Sequence, residues 1–231
     1  MIEIIPAIIP KSAEHAEASL KQVVAHVETV QIDVVDGVFV PTTSWPYTLP
    51  ADERVGEVAA VFDQFSSLRY EVDLMVAEPL EALEMWAEAG AARFIVHIES
   101  VADFSMVLDR FRALQQSYAD TVLELGIALN TTTTNADVLP FVASVSVVQC
   151  MGIANIGFQG QPFDDRVIPK IHDLRERYQE AIISVDGGVS RNTAARLTAA
   201  GANRLVAGSA IFGSNDVREA IAQLQKTASH P

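Results

Sequence analysis

The stretch "VQIDVVDGVFVP" (residues 30–41) places two acids and a glutamine in a run of Val and Ile that is otherwise typical of a buried strand. Side chains alternate along a strand, so Gln31 and Asp33 share one face and Ile32 lies on the other. An unpaired carboxylate is too costly to keep ionised in an apolar core, so Asp33 must meet water, a partner or a metal ion. An acid solvated at a strand end is an alternative that this stretch alone leaves open.

The composition indicates one globular unit. With 231 residues, 49% of them hydrophobic, the chain can bury a large core, and its length fits one α/β barrel as well as two small domains. No stretch resembles a membrane span, and "MIEIIPAIIPKS" lacks the basic flank and cleavage pattern of a signal peptide. Cys150 is the single cysteine, which excludes an intramolecular disulfide. A cytoplasmic location is therefore expected.

The formal net charge of −14 argues against nucleic acid or an anionic membrane as a partner. It does not argue against a phosphorylated small molecule. Backbone N–H groups at helix N-termini bind phosphate locally, whatever the net charge of the chain.

Short β-rich segments alternate with amphipathic helical patterns along the whole chain. The predicted strands cover residues 2–9, 29–36, 70–76, 93–99, 123–130, 146–153, 182–188 and 203–211. The predicted helices cover residues 12–27, 79–90, 101–118, 135–145, 163–180, 190–201 and 214–228, with Ser12 as an N-cap and Pro79 in a first turn. This alternation predicts a single-domain (β/α)8 TIM barrel over residues 1–231. A doubly wound open sheet is the alternative, but its Gly fingerprint after the first strand is absent.

In such a barrel the chemistry lies at the C-terminal ends of the strands. The polar or sulfur-bearing residues that end the predicted strands are Asp33, Asp36, Asp73, His97, Glu99, Asn130, Met151, Asp186 and Ser209. No Arg or Lys ends any of the eight predicted strands, which counts against a structural ion pair at Asp73.

Two Gly-rich loops, "DGGVS" (186–190) and "AGSAIFGS" (207–214), follow predicted strands seven and eight. This is where barrels of this kind bind phosphate. Gly187, Gly188 and Gly208 would let the backbone approach an anion, and Ser209 would open a short helical turn. Tight turns and close packing also require Gly, which is the structural alternative.

The chain resembles the ribulose-phosphate 3-epimerase family. The resemblance rests on "IDVVDGVFVP" (32–41), "VDLMVAEP" (72–79), "VHIES" (96–100), "GFQGQPF" (157–163), "VDGGVS" (185–190) and "AGSAIF" (207–212). It implies a barrel that interconverts ribulose 5-phosphate and xylulose 5-phosphate, with Asp33 and Asp186 at the positions of the two acids that move the C3 proton. The family's flexible lid matches "NIGFQGQPF", so Gly157 and Gly160 are expected to contact the substrate or its phosphate.

The resemblance also implies a divalent metal, held in the family by two His and two Asp. The two histidines fall here on Gln31 and Asp73, so the set Gln31, Asp33, Asp73 and Asp186 offers oxygen only. Oxygen ligands favour Mg²⁺ or Mn²⁺ over Zn²⁺. The alternative is a metal-free cluster in which one of the converging carboxylates takes up a proton.

Four further residues are candidates for the pocket: Met75, His97, Asn130 and Met151. His97 and Glu99 alternate on predicted strand four, where a hydrogen-bonded interior histidine is as consistent with the pattern as a catalytic one. Asn130 would orient a substrate hydroxyl or cap the next loop. Met75 and Met151 would give apolar lining near the reacting carbon, or simply pack the core.

Three functions remain open at this stage. The first is epimerisation of a ketose phosphate, and the second is another isomerase, aldolase or lyase step on a sugar phosphate. The third is binding of a phosphorylated ligand without turnover, since the family's metal-ligand histidines are replaced. The resemblance further suggests a homo-oligomer. The loop over residues 38–56 is longer than the family's and would reshape the mouth of the barrel.

Overall fold

A computed structural model describes residues 2–229. Eight parallel strands close into a barrel in sequence order, β1 next to β2 and finally β8 next to β1. The strands are β1 Glu3–Ile8, β2 Thr29–Val35, β3 Arg69–Met75, β4 Arg93–His97, β5 Glu124–Leu129, β6 Val147–Met151, β7 Ile183–Asp186 and β8 Arg204–Ala207. The predicted (β/α)8 barrel is confirmed.

Helices surround the barrel. They are α1 Ala13–Val23, α2 Ala51–Gln64, α3 Pro79–Glu88, α4 Phe104–Ser117, α5 Asn135–Val138, α6 Val167–Arg177, α7 Ala194–Ala200, α8 Ser209–Phe212 and α9 Val217–Ala228. Ser12 caps α1 by accepting a hydrogen bond from the backbone N–H of His15 at 3.2 Å, as predicted. Pro79 lies at the first position of α3, where its missing N–H costs nothing. None of the helices formed by residues 2–229 combines the length and the apolar character needed to cross a lipid bilayer.

Alternation along each strand divides the side chains between two cores. The outward residues pack against the helices in one large apolar cluster, which includes Ile32 and Cys150. The inward residues include several polar ones, and all seven residues of β2 are buried. Gln31 and Asp33 therefore point into the barrel, as the sequence predicted, while Cys150 is a buried hydrophobe.

One helix was not predicted, and three predicted elements differ clearly from the structure. Helix α2 was not predicted, and because it begins at Ala51, the last residues of the 38–56 loop are helical. Strand β4 ends at His97 and a 3₁₀ turn over Ile98–Ser100 follows, so Glu99 is not on the strand. Strand β8 ends at Ala207, and the residues predicted to continue it form α8. The predicted helix 135–145 is only α5 and a 3₁₀ turn, Val142–Ser144.

Candidate active site

Three carboxylates meet inside the barrel near the C-terminal ends of the strands. Asp33 and Asp73 are register partners on β2 and β3, and Asp186 ends β7. Each offers an oxygen that lies within 4.8 Å of the others. Asp33 and Asp186 keep 6% and 8% of their surface exposed, whereas Asp73 has none. The first two therefore face the open end of the barrel and the third lies beneath them.

Two glutamine amides lie between these carboxylates. The Gln31 Nε2 group donates to Asp33 Oδ1 and to Asp186 Oδ2, both at 2.7 Å. The Gln149 Nε2 group donates to Asp73 Oδ2 at 3.3 Å and to Asp186 Oδ2 at 3.4 Å. Both glutamines are fully buried, and neither Oε1 atom has a hydrogen-bond partner within residues 2–229. The amides thus screen carboxylates that would otherwise repel one another.

His97 connects Asp73 to Glu99. The His97 Nε2 atom lies 3.0 Å from Asp73 Oδ1, and Nδ1 lies 3.6 Å from Glu99 Oε2. Burial alone would lower the pKa of His97, but the charge of Asp73, the hydrogen bond to Asp73 and the nearby Glu99 outweigh it and raise the pKa to about 10. At neutral pH His97 is therefore a buried cation that pairs with Asp73. The absence of Arg and Lys at the strand ends had argued against an ion pair at Asp73, but His97 supplies the partner.

The two acids at the open end have raised pKa values. Burial, and then the neighbouring charge of Asp73, raise the pKa of Asp186 to about 7. Burial also raises the pKa of Asp33 well above its usual range, together with the charges of Asp186 and Asp73. Both shifts favour the protonated carboxyl group, and because the two acids lie so close together, loss of a proton from one depends on the charge of the other.

A small cavity of about 50 Å³ lies above Asp33 and Asp186. Its walls bring together most of the residues that the sequence analysis predicted for the site. Among its lining residues are Asp33, Met75, Met151, Gly157, Gly160, Asp186, Gly187, Gly188, Gly208 and Ser209. Gln31, Asp73, His97 and Asn130 do not line it; the first three lie deeper in the barrel.

The loop after β6 covers this cavity. The Thr42 hydroxyl donates to the Gly157 carbonyl at 3.3 Å, which ties the loop to the segment after β2. The Gln159 amide donates to the Ala7 carbonyl at 3.4 Å, on the neighbouring strand β1. At Gly152 a Cβ would lie 2.2 Å from the Gly187 carbonyl oxygen, so only Gly allows the loops after β6 and β7 to approach.

Two predicted polar residues have local roles. The Asp36 carboxylate accepts hydrogen bonds from the backbone N–H groups of Val38, Phe39 and Ala77 at 2.8, 3.0 and 2.7 Å. It therefore fixes the turn after β2. The backbone N–H of Asn130 donates to Glu99 Oε1 at 2.7 Å, which ties the loop after β5 to the turn after β4.

Gln149 is the residue of this centre that the sequence analysis missed. It belongs to "SVVQCMGI", where one polar side chain interrupts a buried strand in the same way that Gln31 and Asp33 interrupt β2. The same alternation argument could have placed it inside the barrel.

The donor set suits a hard divalent cation. Three carboxylates converge, and the buried Oε1 of Gln31 has no hydrogen-bond partner in the described part of the chain. Rotation of this amide by 180° would turn that oxygen toward Asp33 and Asp186. Oxygen donors of this kind fit Mg²⁺ or Mn²⁺ better than Zn²⁺.

The fold and the site define a (β/α)8 barrel with a carboxylate centre at the C-terminal ends of its strands, and the comparisons identify its family. Residues 3–212 match the model of the ribulose-phosphate 3-epimerase family. The ribulose-phosphate 3-epimerase of Bacillus subtilis is 31% identical over 97% of this chain and 99% of its own. The enzyme of that name from Synechocystis sp. is 32% identical over 98% and 94%. The chain therefore belongs to the ribulose-phosphate 3-epimerase family, whose named members are isomerases.

A solved structure agrees with the fold. The crystal structure of 3-keto-L-gulonate-6-phosphate decarboxylase from Vibrio cholerae superposes with a TM-score of 0.69 and 16% identity, covering 99% of this chain and 97% of that one. This similarity supports the (β/α)8 architecture alone.

Proposed function

We propose that this protein epimerises a ketose phosphate at the carbon next to the carbonyl, with Asp33 and Asp186 as the acid–base pair. The observation that carries the proposal is their placement: both line one cavity, together with glycines of the loops after β7 and β8. Membership of the family and the epimerase names of the relatives support ribulose 5-phosphate as the first substrate to test.

The raised pKa values support the proton transfer. With the pKa of Asp186 at about 7, a proton is gained or lost near neutral pH at little cost. One carboxylate removes the C3 proton and leaves an enediolate, and the other carboxyl group, in its protonated form, returns a proton to the opposite face. The first acid then carries the proton that it removed, so the pair must exchange protons with solvent before the next turnover in the same direction.

The surroundings of the pair suit this chemistry. Met75 and Met151 are nearly fully buried and line the cavity, where they would exclude water from the reacting carbon. A divalent cation held by Asp33, Asp73, Asp186 and Gln31 Oε1 would stabilise the negative charge on the enediolate oxygens. Without a cation, the Gln31 Nε2 group bridges the two acids and holds them in position.

The phosphate is assigned to the loops after β7 and β8. Backbone N–H groups near Gly187, Gly188, Gly208 and Ser209 would bind it without a Lys or Arg. Gly157 and Gly160 would close over the substrate from the loop after β6. A homo-oligomer and a cytoplasmic location are expected from the resemblance and the composition, and the proton transfer needs neither.

The test is solvent exchange of the C3 proton. Ribulose 5-phosphate is incubated with the protein in D₂O with Mg²⁺, and loss of the C3 proton signal is followed by NMR. Exchange detects proton removal even when the product is not released. Asp33→Asn and Asp186→Asn each remove one acid with little change of shape, so both should slow epimerisation, and the variant that lacks the base facing the C3 proton should also slow exchange by about 10²–10⁴-fold.

Asp36→Asn is the matched control, since Asp36 bonds only the backbone of its turn and a neighbouring loop. It should leave exchange within a few-fold of the native rate. Absence of exchange with ribulose 5-phosphate and with a hexulose 6-phosphate, or exchange unchanged in both site variants, would refute the proposal.

A further inference from the structure

Gln149 is held more loosely than Gln31, although it lies against the same carboxylates. Its Nε2 donates across 3.3 Å to Asp73 and 3.4 Å to Asp186, whereas both Gln31 bonds are 2.7 Å long. Hydrogen bonds of 3.3–3.4 Å lie beyond the usual range for N–H donors. The amide therefore gains little from its present orientation.

The other end of the same amide is unsatisfied. Gln149 is fully buried, and its Oε1 atom accepts no hydrogen bond from any residue that the structure describes. A buried carbonyl oxygen without a partner loses its hydration and gains nothing in exchange. Rotation of the amide by 180° would place this oxygen where Nε2 is now, between Asp73 and Asp186.

We propose that Gln149 is a further ligand residue of the candidate metal centre, whose amide donates N–H to Asp73 and Asp186 without a cation and turns its oxygen to the cation when one binds. The inference deepens the proposed function and rests on the same carboxylate centre. It assigns to β6 a ligand in addition to the four that the sequence analysis assigned to β2, β3 and β7.

Two substitutions of Gln149 have opposite consequences under this proposal. Gln149→Leu removes both the N–H donor and the oxygen ligand. Gln149→Glu keeps an oxygen ligand and removes the donor, so it adds a fourth negative charge to the cluster. Without metal this charge is repelled by Asp73 and Asp186, and with metal it is an additional ligand.

The experiment measures Mn²⁺ affinity of the intact protein by titration calorimetry and by the electron paramagnetic resonance of free Mn²⁺. Gln149→Leu should weaken binding by about tenfold, the size of effect that ligand-supporting residues have in metal sites. Gln149→Glu should bind Mn²⁺ more tightly than the native protein, while its melting temperature without metal is lower. Cys150→Ala is the matched control, since Cys150 is next along β6 and packs in the outer core.

An affinity within twofold of the native value for Gln149→Leu would overturn the inference. So would a Gln149→Glu variant that binds no more tightly, or a native protein that does not bind Mn²⁺. If Gln149→Leu does not fold, Gln149→Glu tests the inference alone: its Mn²⁺ affinity should rise and its melting temperature without metal should fall. The exchange assay on the same preparations separates the two proposals. If C3 proton exchange is absent but the expected changes in Mn²⁺ affinity are observed, the result counts against the proposed function only.

Discussion

The two ends of the barrel interior bury charge in opposite ways. Near the N-terminal ends of the strands, Glu71 Oε2 lies 2.7 Å from Arg93 Nη1 and 2.8 Å from Arg204 Nη2. We call these three residues the lower ionic cluster. Near the C-terminal ends, the carboxylate centre of Asp33 and Asp186, with Asp73 beneath them, brings like charges within 4.8 Å of one another.

The difference separates a structural role from a chemical one. The lower ionic cluster places each charge against its opposite, so its groups attract one another and hold three strands together. The carboxylate centre has one buried cation, His97, and two amides for three acids. Burial is the largest cause of the raised pKa of Asp186, and the resulting repulsion adds to it, so that the pKa reaches about 7. Proteins keep such a destabilising repulsion at sites where the group with the shifted pKa has a function.

The largest effect is expected when the lower ionic cluster loses its anion. Glu71→Gln keeps the shape but leaves the buried guanidinium groups of Arg93 and Arg204 without their shared counter-charge. The free energy of unfolding should fall by about 3–5 kcal/mol. Urea denaturation at neutral pH, with the slope checked for two-state behaviour, measures it.

Two variants sharpen this result. Glu3→Gln removes the outer partner of Arg204, but the Glu3 side chain is 46% exposed, so the loss should be about 1 kcal/mol or less. Asp33→Asn is the same acid-to-amide change in the carboxylate centre, and there it relieves repulsion and should leave stability unchanged or higher. A loss in Asp33→Asn as large as in Glu71→Gln would contradict the contrast between the two ends.

The sequence carries most of the information about the open end of the barrel. Asp33 and Asp186 could be predicted to converge because the C-terminal ends of parallel strands meet at one end of a barrel. The glycines of the loops after β7 and β8 could be recognised because only their backbone conformation allows such turns: Gly187 and Gly188 have φ angles of 91° and 68°.

The contacts within the barrel could not be predicted in the same way. The pairing of His97 with Asp73 depends on how β3 and β4 are staggered, which alternation along one strand does not determine. Gln149 contacts acids that lie 76 and 37 residues away in sequence. Helix α2 was missed because Pro50 stands at its N-cap position, where no Ser, Thr, Asp or Asn marks the start of a helix.

A cation should reduce the contrast between the two ends of the barrel. Mg²⁺ or Mn²⁺ would neutralise the carboxylate centre and, at a hundred times its dissociation constant, stabilise the folded state by about 2.7 kcal/mol. Zn²⁺ should stabilise less, since the ligand atoms are all oxygen. Thermal melts of chelator-treated protein with each ion measure the effect, and Asp73→Asn should reduce the shift with Mn²⁺. No shift with any ion, or a larger shift with Zn²⁺, would contradict the prediction.

A moderate effect is expected for Glu99, which supports the carboxylate centre from outside through His97. Burial alone would raise the pKa of Glu99, but the nearby His97 and hydrogen bonds from the backbone N–H of Asn130 and the Thr133 hydroxyl lower it to about 2. Glu99→Gln keeps the shape and removes the charge. At pH 7 it should cost about 1–3 kcal/mol, the usual value of a hydrogen bond to a charged group.

The pH dependence gives this prediction its sign. A carboxyl group whose pKa is lower in the folded than in the unfolded protein contributes stability above the unfolded value, here 4.5, and loses it as the pH falls toward 2. The stability difference between native protein and Glu99→Gln should therefore be constant from pH 7 to about 5 and shrink below 4.5. Urea denaturation at pH 7, 5, 4 and 3 measures it. Glu88→Gln, the same change at an exposed position of α3, should show no such trend. A difference that stays constant down to pH 3 would mean that Glu99 acts through its shape alone, and that its charge does not support His97.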